Sequence, residues 1–253
     1  MSTGARYTRY TFRGYSGYLV ASDTDHELIV VRHSASVLPW TDPDVHIHER
    51  SEEYYLLLQG ELRLLVAGSP VTLRPQEMLV VRPWVPHAIV GGAGPIEHFG
   101  FRAPAPNDRQ TVGEVPGALP PASEEDPREL RRDWGYRIPL DDARNRNCWL
   151  IGLGVARFHS PHFLLAYLDF PTEEAANAGL GTRHRLHLHE RSWEYYVVLQ
   201  GTKTLRIEDE LVTFQAGEMV EVPPGARHTL HGRQAPYRGL TFRVPILPDK
   251  IEF

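Results

Sequence analysis

Three histidines and one glutamate occur twice in this chain at the same spacing. His46, His48, Glu53 and His87 return as His187, His189, Glu194 and His228, each 141 residues further on (187 − 46, 189 − 48, 194 − 53, 228 − 87). Imidazole nitrogen combined with carboxylate oxygen is a donor set that suits borderline divalent transition metals. Four such ligands around an ion leave one or two positions free, the open coordination that Lewis-acid or redox catalysis needs. The repeat extends beyond its ligands, since His46 to Gly60 and His187 to Gly201 agree at eleven of fifteen positions. One His-x-His can arise by chance, but two four-residue sets in one register make each copy read as a metal site.

The elements that carry these side chains read as strands. Side chains on a strand alternate faces, so His46 and His48 point the same way, as do His187 and His189. Glu53 has the opposite parity to His48, so a turn or bulge must return it to the ligand face, and His87 must arrive from another strand. Glu52 is an adjacent candidate, but Trp193 stands opposite it in the second copy while Glu194 stands opposite Glu53, which selects Glu53. With Glu53 and Glu194 inward, Tyr55, Leu57, Tyr196 and Val198 share their face and line a pocket. Tyr196 is the candidate hydrogen-bonding group there, with packing of the interior as its alternative role. Two residues before the histidine pairs the copies differ, Asp44 against Arg185. Arg185 is the candidate to hold a substrate carboxylate by a bidentate contact, with an ion pair at the mouth as the alternative. His184, Arg227 and His231 gather near the second site as rim residues, so the second copy reads as the working site and the first as structural.

Composition bounds the rest. The 253 residues, 42% apolar and 23% charged, describe an ordinary globular chain, and the repeat divides it in two. The formal charge of −5 comes from 32 acidic against 27 basic residues with no basic block, which argues against nucleic acid as a partner. No segment has the apolar core of a secretory signal or the length of a membrane span, so a cytoplasmic protein without membrane contact is expected. The single cysteine, Cys148, excludes an intramolecular disulfide and reads as a buried structural thiol in a strand. Short strands separated by Gly and Pro turns fill both halves, which predicts an all-β protein of two tandem barrels. The expected domains are 1–102, a Pro-rich linker 103–146 with a short helix from Glu124 to Asp133, and 147–253.

The two copies resemble the cupin superfamily, whose first motif runs Gly, five residues, His-x-His, three or four residues, Glu, six residues, Gly. The second copy follows it with Gly181, His187, His189, Glu194 and Gly201; the first has Trp40 at the opening glycine. The second cupin motif is matched by Gly217, Pro223, Gly225 and His228, with Gly232 in its asparagine place. The first copy has Gln76, Arg82, Trp84 and Gly91 at those positions and keeps His87. The resemblance implies a bicupin of two jelly-roll barrels, binding up to two divalent transition metals (Fe, Mn, Ni, Cu, Co or Zn) per chain. It implies a dioxygenase or other oxidoreductase acting on a small carboxylate or enol. The alternatives are a metal-dependent isomerase, decarboxylase or hydrolase without dioxygen, and a non-catalytic small-molecule-binding bicupin. A monomer or homodimer is expected, because two barrels in one chain can satisfy the usual pairing internally.

Overall fold

Alternating apolar runs with Gly and Pro between them leave little choice but sheet, and the computed structural model is built almost wholly from strands. It describes residues 7–12, 17–23, 26–33, 41–42, 44–105, 107–116, 135–139, 148–152, 158–182 and 184–253. Two compact units result, one of residues 14–141 and one of residues 1–13 with 142–253.

In chain order the strands are β1 (Thr8–Thr11), β2 (Gly17–Asp23), β3 (His26–His33), β4 (Asp44–His48), β5 (Glu52–Val66), β6 (Ser69–Leu73), β7 (Glu77–Val81), β8 (His87–Ala103), β9 (Arg109–Glu114) and β10 (Gly135–Pro139). The second half has β11 (Cys148–Gly152), β12 (Phe158–His159), β13 (Leu164–Phe170), the helix α1 (Glu173–Asn177), β14 (His187–His189), β15 (Trp193–Ile207), β16 (Glu210–Gln215), β17 (Glu218–Val222), β18 (His228–Val244) and β19 (Lys250–Glu252). The sheet of the first unit runs β10-β7-β5-β8-β3-β2, with β4 on β8 and β9 and with β6 on β5. That of the second runs β1-β17-β15-β18-β13-β11-β12, with β14 on β18 and β19 and with β16 on β15. The expected tandem all-β architecture is therefore present.

Several boundaries differ from the sequence reading. The strand that precedes each barrel in sequence belongs to the other one: β1 pairs with β17, and β10 pairs with β7. The expected linker 103–146 holds two strands, β9 and β10, of the first unit. The expected helix from Glu124 to Asp133, Trp40 and the Cys148 side chain lie outside the described residues. The helix α1 was not foreseen, although Thr172 caps it by accepting from the Ala175 N–H and acidic Glu173 and Glu174 follow at its positive end. Among the described residues no helix is long and apolar enough to cross a membrane.

The long pairs β5–β8 and β15–β18 form the wall of each barrel that carries the site. Runs expected as separate strands join through bulges at Gly60 and Gly201, where the ladder shifts register. Each bulge resets the inward face. In the first unit Tyr55 and Leu57 face the core before it, and Leu62, Leu64 and Val66 face the core after it. In the second unit Tyr196 and Val198 are followed by Leu205 and Ile207. The first unit keeps the turn conformations of its twin without the glycines. Gln76 and Trp84 hold φ values of 66° and 65° where Gly217 and Gly225 hold 87° and 81°. Non-glycine residues occupy that region at a cost in backbone strain, so the first copy departs from the motif at these turns and keeps their conformation.

Candidate metal centres

Each ligand set assembles as the spacing demanded. β4 projects His46 and His48 from one face, a bend over residues 49 and 50 follows, and Glu53 returns at the start of β5. β8 then places His87 directly opposite His46, and β18 places His228 opposite His187. In the first unit Glu53 Oε2 lies 2.7 Å from His87 Nε2, 3.1 Å from His48 Nε2 and 3.8 Å from His46 Nε2. All four residues are buried, and their ligand atoms lie within 4.8 Å of one another. Glu52 takes no part in this cluster; the Tyr54 hydroxyl donates to it at 2.5 Å.

In the second unit His187, His189 and Glu194 meet the same 4.8 Å limit. His228 joins them with Nε2 at 2.8 Å from Glu194 Oε2, and its ring centroid lies 4.4 Å from that of His187. Burial alone would push both glutamates towards the neutral acid. The histidine contacts outweigh it and hold Glu53 and Glu194 well below the usual carboxylate range, so both stay ionised. Burial and the neighbouring His228 bring His187 down to about 4, which keeps its imidazole neutral at pH 7 and able to ligate.

The far nitrogens decide which ring nitrogen is free. In the second unit His187 Nδ1 meets the Arg185 carbonyl at 2.9 Å, His228 Nδ1 the Ala226 carbonyl at 2.9 Å, and His189 Nδ1 the Asp249 carboxylate at 3.0 Å. All three partners are acceptors, so each Nδ1 donates and leaves Nε2 as the nitrogen that would ligate a metal. The first unit is less orderly. His48 and His87 have the matching acceptors, Asp108 at 2.9 Å and the Val85 carbonyl at 2.8 Å. His46 Nδ1 instead faces a donor, Arg109 Nη2 at 3.3 Å, and Arg102 Nη1 lies 3.3 Å from the ligand nitrogen of His48. The residue types fit a transition metal in both units, and the tautomers fit throughout only in the second.

Asp108 and Asp249 escaped the sequence reading although they obey its offset (249 − 108 = 141). Asp249 accepts from the Arg191 N–H at 2.9 Å, the Ser192 N–H at 2.8 Å and the Ser192 hydroxyl at 2.8 Å, tying the bend after β14 to the ligand His189. Burial opposes its ionisation, but these donors bring its carboxyl down to about 2. An amide cannot accept on both sides at once. Asp249→Asn should therefore weaken metal affinity by about 10- to 100-fold, measured by competition with a chromophoric chelator.

The second site opens on a cavity of about 370 Å³ whose lining includes His187, His189, Glu194, Tyr196, Lys203, Arg233 and Arg243. The first opens on one of about 300 Å³ that includes His46, Glu53, Tyr55, His98, Arg102 and Arg109. Tyr196 faces inward as its parity required, and its hydroxyl donates to Glu194. Burial and the Glu194 charge raise that phenol well above its usual value, so it remains a donor. Arg185 does not reach the pocket. Its side chain is 64% exposed, and Nη1 lies 4.0 Å from Glu252 at the surface, the ion-pair alternative rather than the substrate clamp. His184 borders the cavity, Arg227 pairs with Glu208 at 2.7 Å, and His231 is exposed. Lys203, Arg233, Arg243 and Lys250, the cations that do line the cavity, were not foreseen.

Comparison with known proteins gives the same reading of the fold. A family model described as Cupin domain matches residues 35–95 and 179–237. No curated protein sequence matches the chain. Among solved structures, an oxalate decarboxylase from Lactobacillus farciminis in a formate complex is 12% identical with a TM-score of 0.58, covering 100% of this chain and 90% of that one. A salicylate 1,2-dioxygenase from Pseudaminobacter salicylatoxidans is 12% identical with a TM-score of 0.62, covering 90% of this chain and 76% of that one. A salicylate 1,2-dioxygenase bound to gentisate is 11% identical with a TM-score of 0.63, covering 94% and 81%. At such identities the likeness is one of fold.

Proposed function

The chain carries two cupin domains, and on that premise we propose that it is a metal-dependent enzyme acting on a small organic substrate in its second barrel, with oxygen-dependent oxidation of a carboxylate- or enol-bearing molecule as its chemistry. The observation that carries this reading is the second cluster: three histidines whose Nδ1 atoms are all committed to acceptors, one ionised glutamate, and a cavity of about 370 Å³ beside them. His187, His189, Glu194 and His228 would hold a divalent transition metal there, supplying Lewis acidity and, for a redox-active ion, access to dioxygen.

The protein's own groups set the rest. The Tyr196 hydroxyl orients Glu194 and offers a hydrogen bond at the edge of the cluster. Leu168, Leu205 and Leu230 give the cavity apolar walls that limit water. The first barrel, where Arg102 and Arg109 approach the histidines, is proposed to serve structure.

The reading is tested with an oxygen electrode. Protein reconstituted with iron, manganese, nickel or copper is offered 2-oxo acids and ortho-hydroxy aromatic acids, with substrate loss followed by chromatography. Oxygen uptake that matches substrate loss is the expected result. Turnover without uptake would move the protein to the isomerases, decarboxylases or hydrolases. Less than about a tenth of an equivalent of any transition metal in the purified chain would point to a binding module instead.

A further inference from the structure

The second cavity holds positive charge that the metal cluster does not explain. Lys203 on β15 and Arg233 on β18 are directly opposite each other in the ladder, and they are only 2% and 8% exposed. Like charges facing across a strand pair destabilise it, and a buried cation without a counter-charge is costly. Yet neither meets a carboxylate among the described residues. Lys203 Nζ sits 3.8 Å above the centre of the Tyr196 ring. Arg233 donates to the Ala176 carbonyl at 2.5 Å, packs over Phe170 and Tyr237, and leaves its buried Nε without a hydrogen-bond partner. Arg243, opposite Glu194 in the ladder, also has a buried Nε without a partner. Among the described residues Glu194 is the one carboxylate lining the cavity, and the histidines engage it.

The first barrel is the internal control. Its residues at the Lys203 and Arg233 positions are Leu62 and Gly92, also directly opposite each other. Arg102, the counterpart of Arg243, faces Glu27 across the ladder and pairs with it at 2.5 Å, whereas Arg243 faces Leu164. The second barrel thus has two extra cations and no counterpart of the Glu27 carboxylate, beside a cavity large enough for a small ligand. Burial and Arg233 also pull the Lys203 ammonium well below its usual value, a shift that an anion beside it would reverse.

We infer that the second cavity is built for a compact organic dianion, a small dicarboxylate or a carboxylate with a second ionised oxygen. One end is held by Lys203 and Arg233, and the other lies towards Arg243 and the histidine–glutamate cluster. This rests on the second barrel being the working site and narrows the substrate class to molecules with two anionic ends.

The test is thermal unfolding and calorimetric titration of the metal-loaded chain with malonate, succinate and the monoanion propionate at matched ionic strength. A dicarboxylate should bind at least about tenfold more tightly than propionate. Lys203→Leu, which installs the first barrel's residue, should weaken it by about tenfold or more while leaving metal content unchanged and raising the ligand-free melting temperature. Arg233→Met gives the same readout independently should Lys203→Leu not fold. Equal binding of mono- and dicarboxylates, or dicarboxylate binding indifferent to the folded variants, would overturn the inference. Metal analysis separates it from the enzyme reading. A wild-type chain that holds no transition metal yet binds dicarboxylate through Lys203 supports this inference and sinks that reading, and a metal-replete chain indifferent to dicarboxylates does the reverse.

Discussion

Replacing His189 with alanine should empty the second barrel of metal and reduce turnover by at least about a thousandfold, whereas His48→Ala should leave turnover nearly intact. The asymmetry follows from what surrounds two otherwise equivalent residues. His189 is fixed by Asp249 at its far nitrogen and approaches Glu194 at 3.4 Å through the near one, and no arginine competes for it among the described residues. His48 has the matching partner in Asp108, but Arg102 Nη1 already lies 3.3 Å from its ligand nitrogen. Losing one ligand of four typically removes more affinity than losing an outer-shell partner, which itself costs about 10- to 100-fold. Elemental analysis of chains purified without added metal, read beside turnover, checks both halves. Abolished turnover in His48→Ala with normal turnover in His189→Ala would place the working site in the first barrel.

The two histidine–glutamate clusters were legible because they are local and repeated. The 141-residue offset selected Glu53 over Glu52, and the cluster contains Glu53. Parity along one strand turned Tyr55, Leu57, Tyr196 and Val198 inward, since no irregularity separates them from Glu53 or Glu194, but only the two tyrosines line the cavities and Leu57 and Val198 pack in the core. The same counting fails beyond the bulge. Carried on from Glu194 it puts Lys203 outside the barrel, whereas the register shifts around Gln200 to Thr202 turn it inward. Parity misplaced Arg185 for the opposite reason, because β14 begins only at His187 and the alternation has no strand to ride on before it. The imbalance at Arg243 depends on facing Leu164 rather than a glutamate, a register known only once β13 and β18 are paired. β1 was assigned to the wrong barrel because its partner β17 is about two hundred residues away and nothing local announces that pairing. Asp108 and Asp249 were within reach, since the offset that found the ligands also relates them.

The glycine that closes the repeated stretch of the second barrel should not tolerate a side chain. Gly201 sits at φ +77°, and a Cβ there would lie 2.4 Å from the Gln234 carbonyl oxygen, 2.6 Å from that of Pro236 and 3.3 Å from the Tyr237 Cα. All three are backbone atoms of β18, so no side-chain rotation relieves the clash and the β15–β18 ladder must move. Gly201→Ala should therefore cost about 3 kcal/mol or more, combining left-handed strain with displaced sheet. Gly225→Ala isolates the strain alone, because Gly225 holds φ +81° with nothing within 4 Å of an added Cβ. That variant should cost only about 1 kcal/mol. Chemical denaturation of the two variants side by side measures the difference, and equal losses would show that the close approach of β18 is not what demands glycine. The consequence reaches the site, since Gly201 lies on β15 between Glu194 at the ligand cluster and Lys203 in the cationic pair. A shifted ladder would move one against the other. Gly60 occupies the same place in the first barrel, with φ +84° and the Pro95 carbonyl oxygen 2.5 Å from an added Cβ, so the repeat conserves the bend in both units while the residues beyond it diverge.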